Sequence, residues 1–269
     1  SETAVIERTF KMGDYNVVDF NTPADLVVIN TCTVTEGGDA DTRRLINKAT
    51  RINPKTRIAL IGCQAQVQKE SISHHPNVTW VVGNAKKMDL KSIVEQLEQP
   101  GKHVITPTIE RKSFTQVVAA IDEKHTRANM KIQDGCDFFC SFCEIPYARG
   151  RARSRQFSDV INEAQALAQS GYKEIVITGI NVGTYQESNQ KILDVIDALE
   201  KIQGLERIRI SSIEPTTIPW ALVKRMGEAS KLCPYLHIPI KSASNTIIYK
   251  KKRKYSFEEF CDFIIQARN

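Results

Sequence analysis

The sequence has no apolar run approaching the roughly 18 residues that a helix needs to cross a bilayer. It also lacks a secretion signal, because the opening SETAVIERTF mixes polar and apolar residues without a basic start or an apolar core. Hydrophobic residues make up 41% and charged residues 25% of the 269 positions, a composition typical of folded domains. We therefore expect a soluble, globular protein with no membrane partner, and two domains, since a domain takes about 100–200 residues.

A disulfide framework is also poorly supported. The seven cysteines are an odd number, and disulfide scaffolds are typical of small secreted domains. We therefore expect a reducing, cytoplasmic location, where grouped cysteines are more often metal ligands or catalytic thiols. The sequence offers no pair of catalytic carboxylates and no Ser/His/Asp grouping, so no catalytic side chain is nominated.

The charge balance is mildly positive, with 37 Lys and Arg against 31 Asp and Glu. Four arginines alternate at Arg149, Arg151, Arg153 and Arg155, and an unbroken basic run occupies residues 250–254. Both stretches permit a polyanionic partner, but a solvated protein surface explains the basic run equally well.

Residues 1–98 alternate short aliphatic runs with amphipathic stretches, which predicts a parallel sheet with helices on both faces. The predicted strands are Tyr15–Asp19, Leu26–Asn30, Arg57–Ile61 and Thr79–Val82, and the predicted helices are Thr42–Arg51 and Met88–Leu97. Residues 99–116 contain two prolines and no lasting period, so we predict an interdomain linker there.

Residues 117–269 form the second predicted domain. Its predicted strands are Arg127–Gln133, Glu174–Thr178, Arg207–Ser211 and Tyr235–Ile240, and its predicted helices are Ser158–Ser170, Ile192–Ile202 and Ala221–Ala229. Successive strand–helix units predict an α/β fold with a TIM-type (β/α) barrel or an open part of one. Because a full barrel needs more strands, and because the chain starts at Ser1, we expect a fragment truncated at both ends.

Three cysteines with close spacing, Cys136, Cys140 and Cys143, lie in GCDFFCSFC on a loop after a predicted strand, where barrel enzymes place their chemistry. Three thiolates can hold three irons of a [4Fe–4S] cluster and leave the fourth iron open. An open iron can chelate the amino and carboxylate groups of S-adenosylmethionine (SAM) and pass an electron to its sulfonium. The alternatives are a zinc site, although no His follows nearby, and buried free cysteines, although the neighbouring residues are polar.

This spacing, with an aromatic residue just before the last cysteine (here Phe142), resembles the signature of the radical SAM superfamily. The longer stretch KIQDGCDFFCSFCEIPYARGRARSR, residues 131–155, resembles its methylthiotransferase branch. The resemblance extends over essentially the whole chain. It implies an N-terminal methylthiotransferase domain, a radical SAM barrel and an RNA-binding β-barrel beyond Arg268.

The same resemblance implies a second, auxiliary [4Fe–4S] cluster held by three cysteines of the N-terminal domain. Two of them are present, Cys32 in NTCTVT and Cys63 in GCQAQ, each after a predicted strand. The family's first cysteine stands a few residues before a stretch like Ser1-Glu2-Thr3, so we expect the third ligand to lie upstream. Taken alone, either cysteine is explained as a small core residue.

The resemblance also implies a SAM pocket lined by the stretches TGINVGTY, RISSIEP and LHIPIKSAS. The residues expected to bind the cofactor are Phe142, Arg149, Arg153, Gly179, Asn181, Ser212, Glu214 and Lys241. Within this set, Glu214 or Ser212 would hold a ribose hydroxyl, and Arg149 or Arg153 would pair with the SAM carboxylate. An ordinary turn residue explains Glu214 about equally well.

One position departs from the family pattern. Lys241, Ser242 and Ala243 stand where the family usually has Gln-Ser-Gly. A lysine adds a charge and removes an acceptor, so either the pocket is altered or the chain is a noncatalytic iron-sulfur or RNA-binding relative.

Three stretches indicate the substrate branch within the methylthiotransferase family: IPYARGRARSR, TGINVGTY and NTCTVTEGGDADTRR. Their sequences most resemble enzymes that act on threonylcarbamoyladenosine in tRNA. Isopentenyladenosine in tRNA and an aspartate of a ribosomal protein are the alternative substrates. The resemblance implies transfer of a methylthio group to C2 of the adenine, with two [4Fe–4S] clusters and SAM as cofactors. It implies tRNA, a sulfur donor and an electron donor such as flavodoxin or ferredoxin as partners.

Overall fold

The computed structural model describes residues 2–32, 36–99, 101–110, 114, 126–211, 213–228 and 230–268. It divides into two compact units. The first unit comprises Glu2–Thr115 and Glu144–Gly150, and the second comprises Gln116–Cys143 and Arg151–Asn269. No helix in the described ranges combines the length and apolar character that a membrane crossing requires.

The first unit is a four-stranded parallel sheet, in the order β1-β2-β3-β4, with helices on both faces. Its elements are α1 (Glu2–Lys11), β1 (Leu26–Thr31), α2 (Glu36–Ile52), β2 (Arg57–Gly62), α3 (Cys63–Val67), α4 (Lys69–Ser73), β3 (Val78–Val82), α5 (Leu90–Gln96), β4 (His103–Ile105) and α6 (Ile145–Arg149).

Strand β2 is the centre of this unit, because its side chains are buried on both faces of the sheet. Ile58 and Leu60 pack into one cluster with residues of α2 and α4, whereas Ala59 and Ile61 pack into another with residues of α1 and α5. An unbroken aliphatic run is what a strand covered on both faces requires. The sequence RIALIG therefore places Cys63 at the end of the most protected strand.

The second unit contains a three-stranded parallel sheet in the order β11-β8-β5. Its elements are β5 (Ala128–Lys131), β6 (Gln133–Asp134), β7 (Arg153–Ser154), α7 (Phe157–Gln169), β8 (Glu174–Thr178), β9 (Gln186–Glu187), β10 (Gln190–Lys191), α8 (Ile192–Glu200), β11 (Arg207–Ile210), α9 (Trp220–Gly227), α10 (Asn245–Lys250) and α11 (Phe257–Arg268). One cluster of buried aliphatic residues joins the three strands to α7, α8 and α9. The strand–helix order confirms the predicted α/β class with repeated (β/α) units.

Five predicted strands are confirmed to within one residue at either end. The predicted strand Arg127–Gln133 is divided at Ile132 into β5 and β6, and Tyr15–Asp19 is wrong as a strand. Residues 15–19 form no strand, and Val17 and Val18 are exposed. Tyr15 instead packs edge-on against Phe10, with ring centres 4.9 Å apart. The run has β-forming residues, but no strand among the described residues pairs with it.

The predicted strand Tyr235–Ile240 is also wrong, since the structure shows no ladder there. The nearest pairing is a single bridge between Leu232 and Ile208. Pro234 and Pro239 remove two main-chain donors, which disfavours a regular ladder through this segment.

Part of the segment predicted as a linker, residues 99–116, belongs to the first sheet. Strand β4 lies within it and pairs in parallel with β3, with Trp80 opposite His103. The two prolines and the lack of periodicity hid a strand of only three residues.

Candidate functional site

The predicted cluster-binding loop, residues 135–143 and called the cysteine loop below, belongs to the second unit. It follows β6, which comes just after the carboxyl end of β5. Gly135, immediately before Cys136, has a φ of 71°, and its N–H donates to Asp134 Oδ1 at 2.9 Å. This left-handed conformation favours glycine, which explains why a glycine directly precedes Cys136.

A fully buried glutamine, Gln133, joins this loop to the loop after β8. Its Nε2 donates to the main-chain oxygens of Asp134 and Gly135 at 3.0 and 2.8 Å. Its Oε1 accepts from the main-chain N–H groups of Ile180 and Asn181, both at 2.9 Å. The side chain thus uses its full hydrogen-bonding capacity, which fixes the spacing of the two loops.

The thiols of the loop share one electrostatic environment. Burial raises the pKa of the Cys136 and Cys140 thiols, and the neighbouring thiols raise both further. The Arg253 guanidinium opposes this rise in the pKa of Cys140. Within the part of the chain that the structure describes, no group of three His, Cys, Asp or Glu side chains already has a metal-site arrangement. The donor set of three neighbouring thiols is nevertheless that of an iron-sulfur cluster.

The basic segment, residues 250–254, packs against the cysteine loop. Ser141 Oγ donates to the main-chain oxygen of Lys250 at 2.8 Å. Three cations of the basic segment lie over phenylalanine rings of the loop: Lys251 and Arg253 over Phe142, at 4.9 and 5.3 Å, and Lys254 over Phe138, at 5.4 Å. Cation–ring contacts of this kind are attractive. A solvated surface therefore does not describe the basic segment as a whole.

Arg253 is the buried member of this segment, with a side chain only 6% exposed. Its Nη1 lies 2.8 Å from Glu214 Oε1. The Glu214 main-chain N–H lies 3.5 Å from Asn181 Oδ1, which also accepts from Thr217 Oγ1 at 2.9 Å. A continuous set of contacts thus runs from the surroundings of Cys140 to the loop after β8.

Four buried polar atoms in this region have no hydrogen-bond partner among the described residues: Asn181 Nδ2, Ser211 Oγ, Arg253 Nε and Tyr255 Oη. Buried polar atoms are normally satisfied, and two of these, Asn181 Nδ2 and Ser211 Oγ, lie just beyond the carboxyl ends of the parallel strands β8 and β11, which fits a polar ligand. All four can donate a hydrogen bond. The residues present therefore fit a ligand that carries carboxylate and hydroxyl oxygens, as SAM does.

The other predicted pocket residues take distinct positions. A Cβ on Gly179 would lie 2.9 Å from Gln133 Oε1, so this position requires the absence of a side chain. Phe142 is 53% exposed. The main-chain oxygen of half-buried Lys241 accepts from Lys251 Nζ at 3.1 Å. Ser212 lies outside the described residues.

The two arginines predicted to bind a carboxylate differ in their surroundings. Arg153 is buried, and its guanidinium donates to Asp134 Oδ2 at 3.2 Å and to the main-chain oxygen of Arg151 at 3.1 Å. Lys131 Nζ reaches the same Asp134 oxygen at 2.7 Å. These contacts join β6 to β7 at the two ends of the cysteine loop. Arg149 is half-buried and ends α6 in the first unit.

The two N-terminal cysteines directly follow paired residues of adjacent strands. Thr31 at the end of β1 pairs with Gly62 at the end of β2, and Cys32 and Cys63 come next. Neighbouring strands lie about 4.8 Å apart, so both cysteines start from one edge of the sheet. Cys32 is exposed and Cys63 is buried. Ligands of open α/β sheets gather at this carboxyl edge.

The start of α1 is held at the same edge. Lys87 Nζ, which is buried, lies 2.5 Å from Glu2 Oε2. Asn30 Nδ2 donates to Thr3 Oγ1 at 3.0 Å. The edge therefore gathers the two cysteines and the stretch that, by resemblance, follows the family's first cysteine. Two thiols at one sheet edge fit part of the ligand set of an auxiliary cluster.

Two protein families match different parts of the chain. Residues 130–269 match the radical SAM superfamily, and residues 1–83 match Uncharacterized protein family UPF0004. The chain is 39% identical to the threonylcarbamoyladenosine tRNA methylthiotransferase MtaB of Bacillus subtilis, covering 97% of this chain and 59% of that protein. It is 36% identical to the Aquifex aeolicus protein of the same name, covering 99% of this chain and 67% of that protein.

A relative with a different substrate in its name is also similar. The tRNA-2-methylthio-N(6)-dimethylallyladenosine synthase of Thermodesulfovibrio yellowstonii is 30% identical, covering 93% of this chain and 58% of that protein. Among solved structures, the radical SAM methyltransferase TsrM of Kitasatospora setae matches with a TM-score of 0.65 and 14% identity, covering 99% of this chain and 57% of that chain. That likeness concerns the fold alone.

Parallel strand–helix units with a three-cysteine loop at their carboxyl edge define the radical SAM class of iron-sulfur proteins. The chain belongs to the radical SAM superfamily and, within it, to the methylthiotransferase family. It spans about three fifths of the length of the curated relatives that it matches.

Several residues around these sites were not singled out from the sequence. Gln133 lies within the KIQDGC stretch, so its closeness to Cys136 was the available signal. Asn84 and Lys87 follow the end of β3, just as Cys32 and Cys63 follow β1 and β2. Applying the strand-end rule to every strand would have found them.

Proposed function

We propose that the full-length protein is a radical SAM methylthiotransferase that adds a methylthio group to C2 of N6-threonylcarbamoyladenosine next to the tRNA anticodon. The observation that supports it most is the continuous set of contacts around Cys140. Arg253 lies over the Phe142 ring of the cysteine loop, lowers the pKa of the Cys140 thiol and pairs with Glu214. The main-chain N–H of Glu214 in turn contacts Asn181. Thiol ligands and unsatisfied polar atoms thus occur together, as a shared cluster and SAM site requires.

In this proposal, Cys136, Cys140 and Cys143 hold three irons of a [4Fe–4S] cluster. The cluster and SAM supply the radical chemistry when bound, so no protein acid or base performs the central step. The unpartnered Asn181 Nδ2 donates to an oxygen of SAM, and Glu214 accepts from a ribose hydroxyl. Gln133 holds the two loops at the spacing that this ligand needs.

The proposed sulfur site lies in the first unit. Cys32 and Cys63 supply two of three ligands of an auxiliary [4Fe–4S] cluster that holds the sulfur to be transferred. Their shared sheet edge and the attachment of α1 to it support this assignment.

The proposed substrate rests on the relatives. Those at 39% and 36% identity are named for threonylcarbamoyladenosine, and the relative at 30% identity is named for dimethylallyladenosine. Dimethylallyladenosine, also called isopentenyladenosine, is therefore the second candidate substrate. In either case the partners are tRNA, a sulfur donor and an electron donor such as flavodoxin or ferredoxin, in the cytoplasm.

The substrate is tested by expressing the full-length gene in a strain that lacks its own methylthiotransferases and analysing tRNA nucleosides by mass spectrometry. We expect a methylthio group on threonylcarbamoyladenosine. A methylthio group on dimethylallyladenosine instead would establish the second candidate. Modification of neither nucleoside, together with no deoxyadenosine from SAM and dithionite in vitro, would overturn the enzyme assignment.

Two cysteine variants sharpen this test. Cys140→Ala removes a proposed iron ligand and is expected to abolish both products, the methylthio nucleoside in tRNA and the deoxyadenosine formed from SAM. Cys261→Ala removes a half-buried thiol on α11, outside the proposed sites, and is expected to leave both products unchanged.

A further inference from the structure

A buried asparagine next to Cys63, Asn84, has no part in the function proposed above. It is 6% exposed and lies two residues beyond the end of β3. Its Nδ2 donates to the main-chain oxygen of Ala148 at 2.7 Å and lies 3.5 Å from Cys63 Sγ, within hydrogen-bond range for sulfur. Its Oδ1 accepts from Lys87 Nζ at 2.9 Å. All four residues belong to the first unit.

The neighbours of Asn84 determine which way its amide points. The Lys87 ammonium can only donate, so it requires the amide oxygen on its side. The Ala148 carbonyl can only accept, so it requires the amide nitrogen on the other side. Both constraints agree, and they direct the NH₂ group, which carries two hydrogens, toward the carbonyl and the Cys63 sulfur together.

The ammonium that holds the amide is itself enclosed. The Lys87 side chain is 3% exposed, and its Nζ also pairs with Glu2. Burying a lysine is costly unless its charge is paired and hydrogen-bonded, as it is here. The contacts of this buried cation therefore continue through the Asn84 amide to the Cys63 sulfur.

We propose that Asn84 is a positioning residue for Cys63. The Asn84 amide donates an N–H···S hydrogen bond to the Cys63 sulfur, and this bond raises the reduction potential of the cluster that Cys63 ligates. Lys87 keeps the amide in the donating orientation. A hydrogen bond to a thiolate ligand draws charge from the sulfur, which stabilises the more negative, reduced cluster. This inference rests on the proposed function, because it assumes that Cys63 ligates the auxiliary cluster.

The test uses the full-length protein with Cys136, Cys140 and Cys143 replaced by alanine, so that only the auxiliary cluster can assemble. After anaerobic reconstitution, iron and sulfide are quantified, and the midpoint potential is measured by redox titration followed by electron paramagnetic resonance. Release of iron to a chelator is a second measurement. Neither readout depends on turnover.

We expect Asn84→Leu to move the midpoint potential to more negative values and to speed iron release roughly ten-fold, the scale of lost outer-shell contacts. Lys87→Met should shift the potential in the same direction, and Lys87→Arg should restore it. In the Asn84→Leu background, Lys87→Met should add no further shift, because Lys87 acts through Asn84.

Asn77 provides the matched control. It precedes β3, at the opposite end of the same strand, and its Nδ2 donates to the main-chain oxygens of Pro54 and Thr56, both at 2.9 Å. Asn77→Leu therefore loses a similar number of hydrogen bonds far from the cysteines, and should leave the potential unchanged. If Asn84→Leu does not fold, Asn84→Asp is titrated instead, since it keeps the Lys87 contact and removes the N–H donor.

The outcomes separate this inference from the function on which it rests. A cluster that requires Cys63 but has the same potential with and without Asn84 would overturn the inference alone. Absence of iron from the parent protein, or iron that persists after Cys63→Ala, would overturn the auxiliary site and the inference with it.

Discussion

Arg253 Nη1 lies 2.8 Å from Glu214 Oε1, which connects the basic segment to the loop after β11. Both side chains are largely enclosed, at 6% and 19% exposure. The guanidinium also lies over the Phe142 ring and lowers the pKa of Cys140 against the effect of burial. One arginine thus pairs with a carboxylate, contacts an aromatic ring of the cysteine loop and lowers the pKa of one of its thiols.

Replacing Arg253 by Gln should destabilise the metal-free protein by about 3 kcal/mol, because it leaves the Glu214 carboxylate without its partner. Urea unfolding measures the change. The double variant with Glu214→Gln should recover part of the loss. Lys11→Gln breaks the exposed Lys11–Glu7 pair and should cost only about 0.5 kcal/mol. An equal cost for both single variants would contradict the prediction.

The same substitution should change the reactivity of Cys140. Burial raises the pKa of this thiol and Arg253 lowers it, so Arg253→Gln should raise the pKa further. Less thiolate is then present at any given pH, and the curve of iodoacetamide labelling against pH should move to higher pH. Mass spectrometry of the Cys140 peptide from the metal-free protein measures this shift. A curve that stays in place would show that the charge of Arg253 does not reach the sulfur.

Glu174 predicts a pH dependence of stability. Hydrogen bonds from Arg207 and Arg209, at 2.9 and 3.1 Å, lower the pKa of this carboxyl. A group whose pKa is lower in the folded state stabilises the fold above its unfolded pKa, and this contribution is lost as pH falls through the folded value. Glu174→Gln should therefore cost about 1 kcal/mol or more at neutral pH and little in acid.

Unfolding in urea at neutral and acidic pH tests the Glu174 prediction. Glu206→Gln is the control, because Glu206 pairs with Lys173 at 3.3 Å and both side chains are 55% exposed. Its cost should stay below about 0.5 kcal/mol throughout. A Glu174→Gln cost that persists in acid would assign the effect to packing rather than charge.

Gly179 should not tolerate a methyl group. A Cβ there would lie within 2.9–3.1 Å of three Gln133 atoms, and Gln133 hydrogen-bonds the next two main-chain N–H groups. We expect Gly179→Ala to cost about 1–3 kcal/mol by overpacking and to weaken SAM binding.

Gly227→Ala is the matched control for Gly179→Ala. Gly227 ends α9, and apart from its chain neighbours and its own helix backbone no atom of the described residues lies within 4 Å of the place that an alanine methyl group would take. The change should therefore be neutral or slightly stabilising. Thermal unfolding and equilibrium binding of SAM to the reconstituted protein measure the two effects. Equal behaviour of the two alanine variants would exclude a spatial constraint at Gly179.

Local sequence determined much of the fold. The run RIALIG forms a strand because its residues are aliphatic on both faces and turn residues flank it. The prediction of a strand at Tyr15–Asp19 was wrong because β-forming residues also need a neighbouring strand to pair with, and no local pattern reveals that strand. Strand β4 was hidden because three residues show too little periodicity to detect.

Local patterns revealed the three-cysteine spacing, the cysteines at the strand ends and the likeness to methylthiotransferases, because ligand spacing within a loop is a local property. Folding in three dimensions brings the Arg253–Glu214 pair near Cys140 and connects Glu2 to Cys63 through Lys87 and Asn84. These partners are far apart in the chain, and strand pairing and helix packing bring them together. Burial then removes the water that would otherwise screen their charges, so their effect on the thiols depends on the fold.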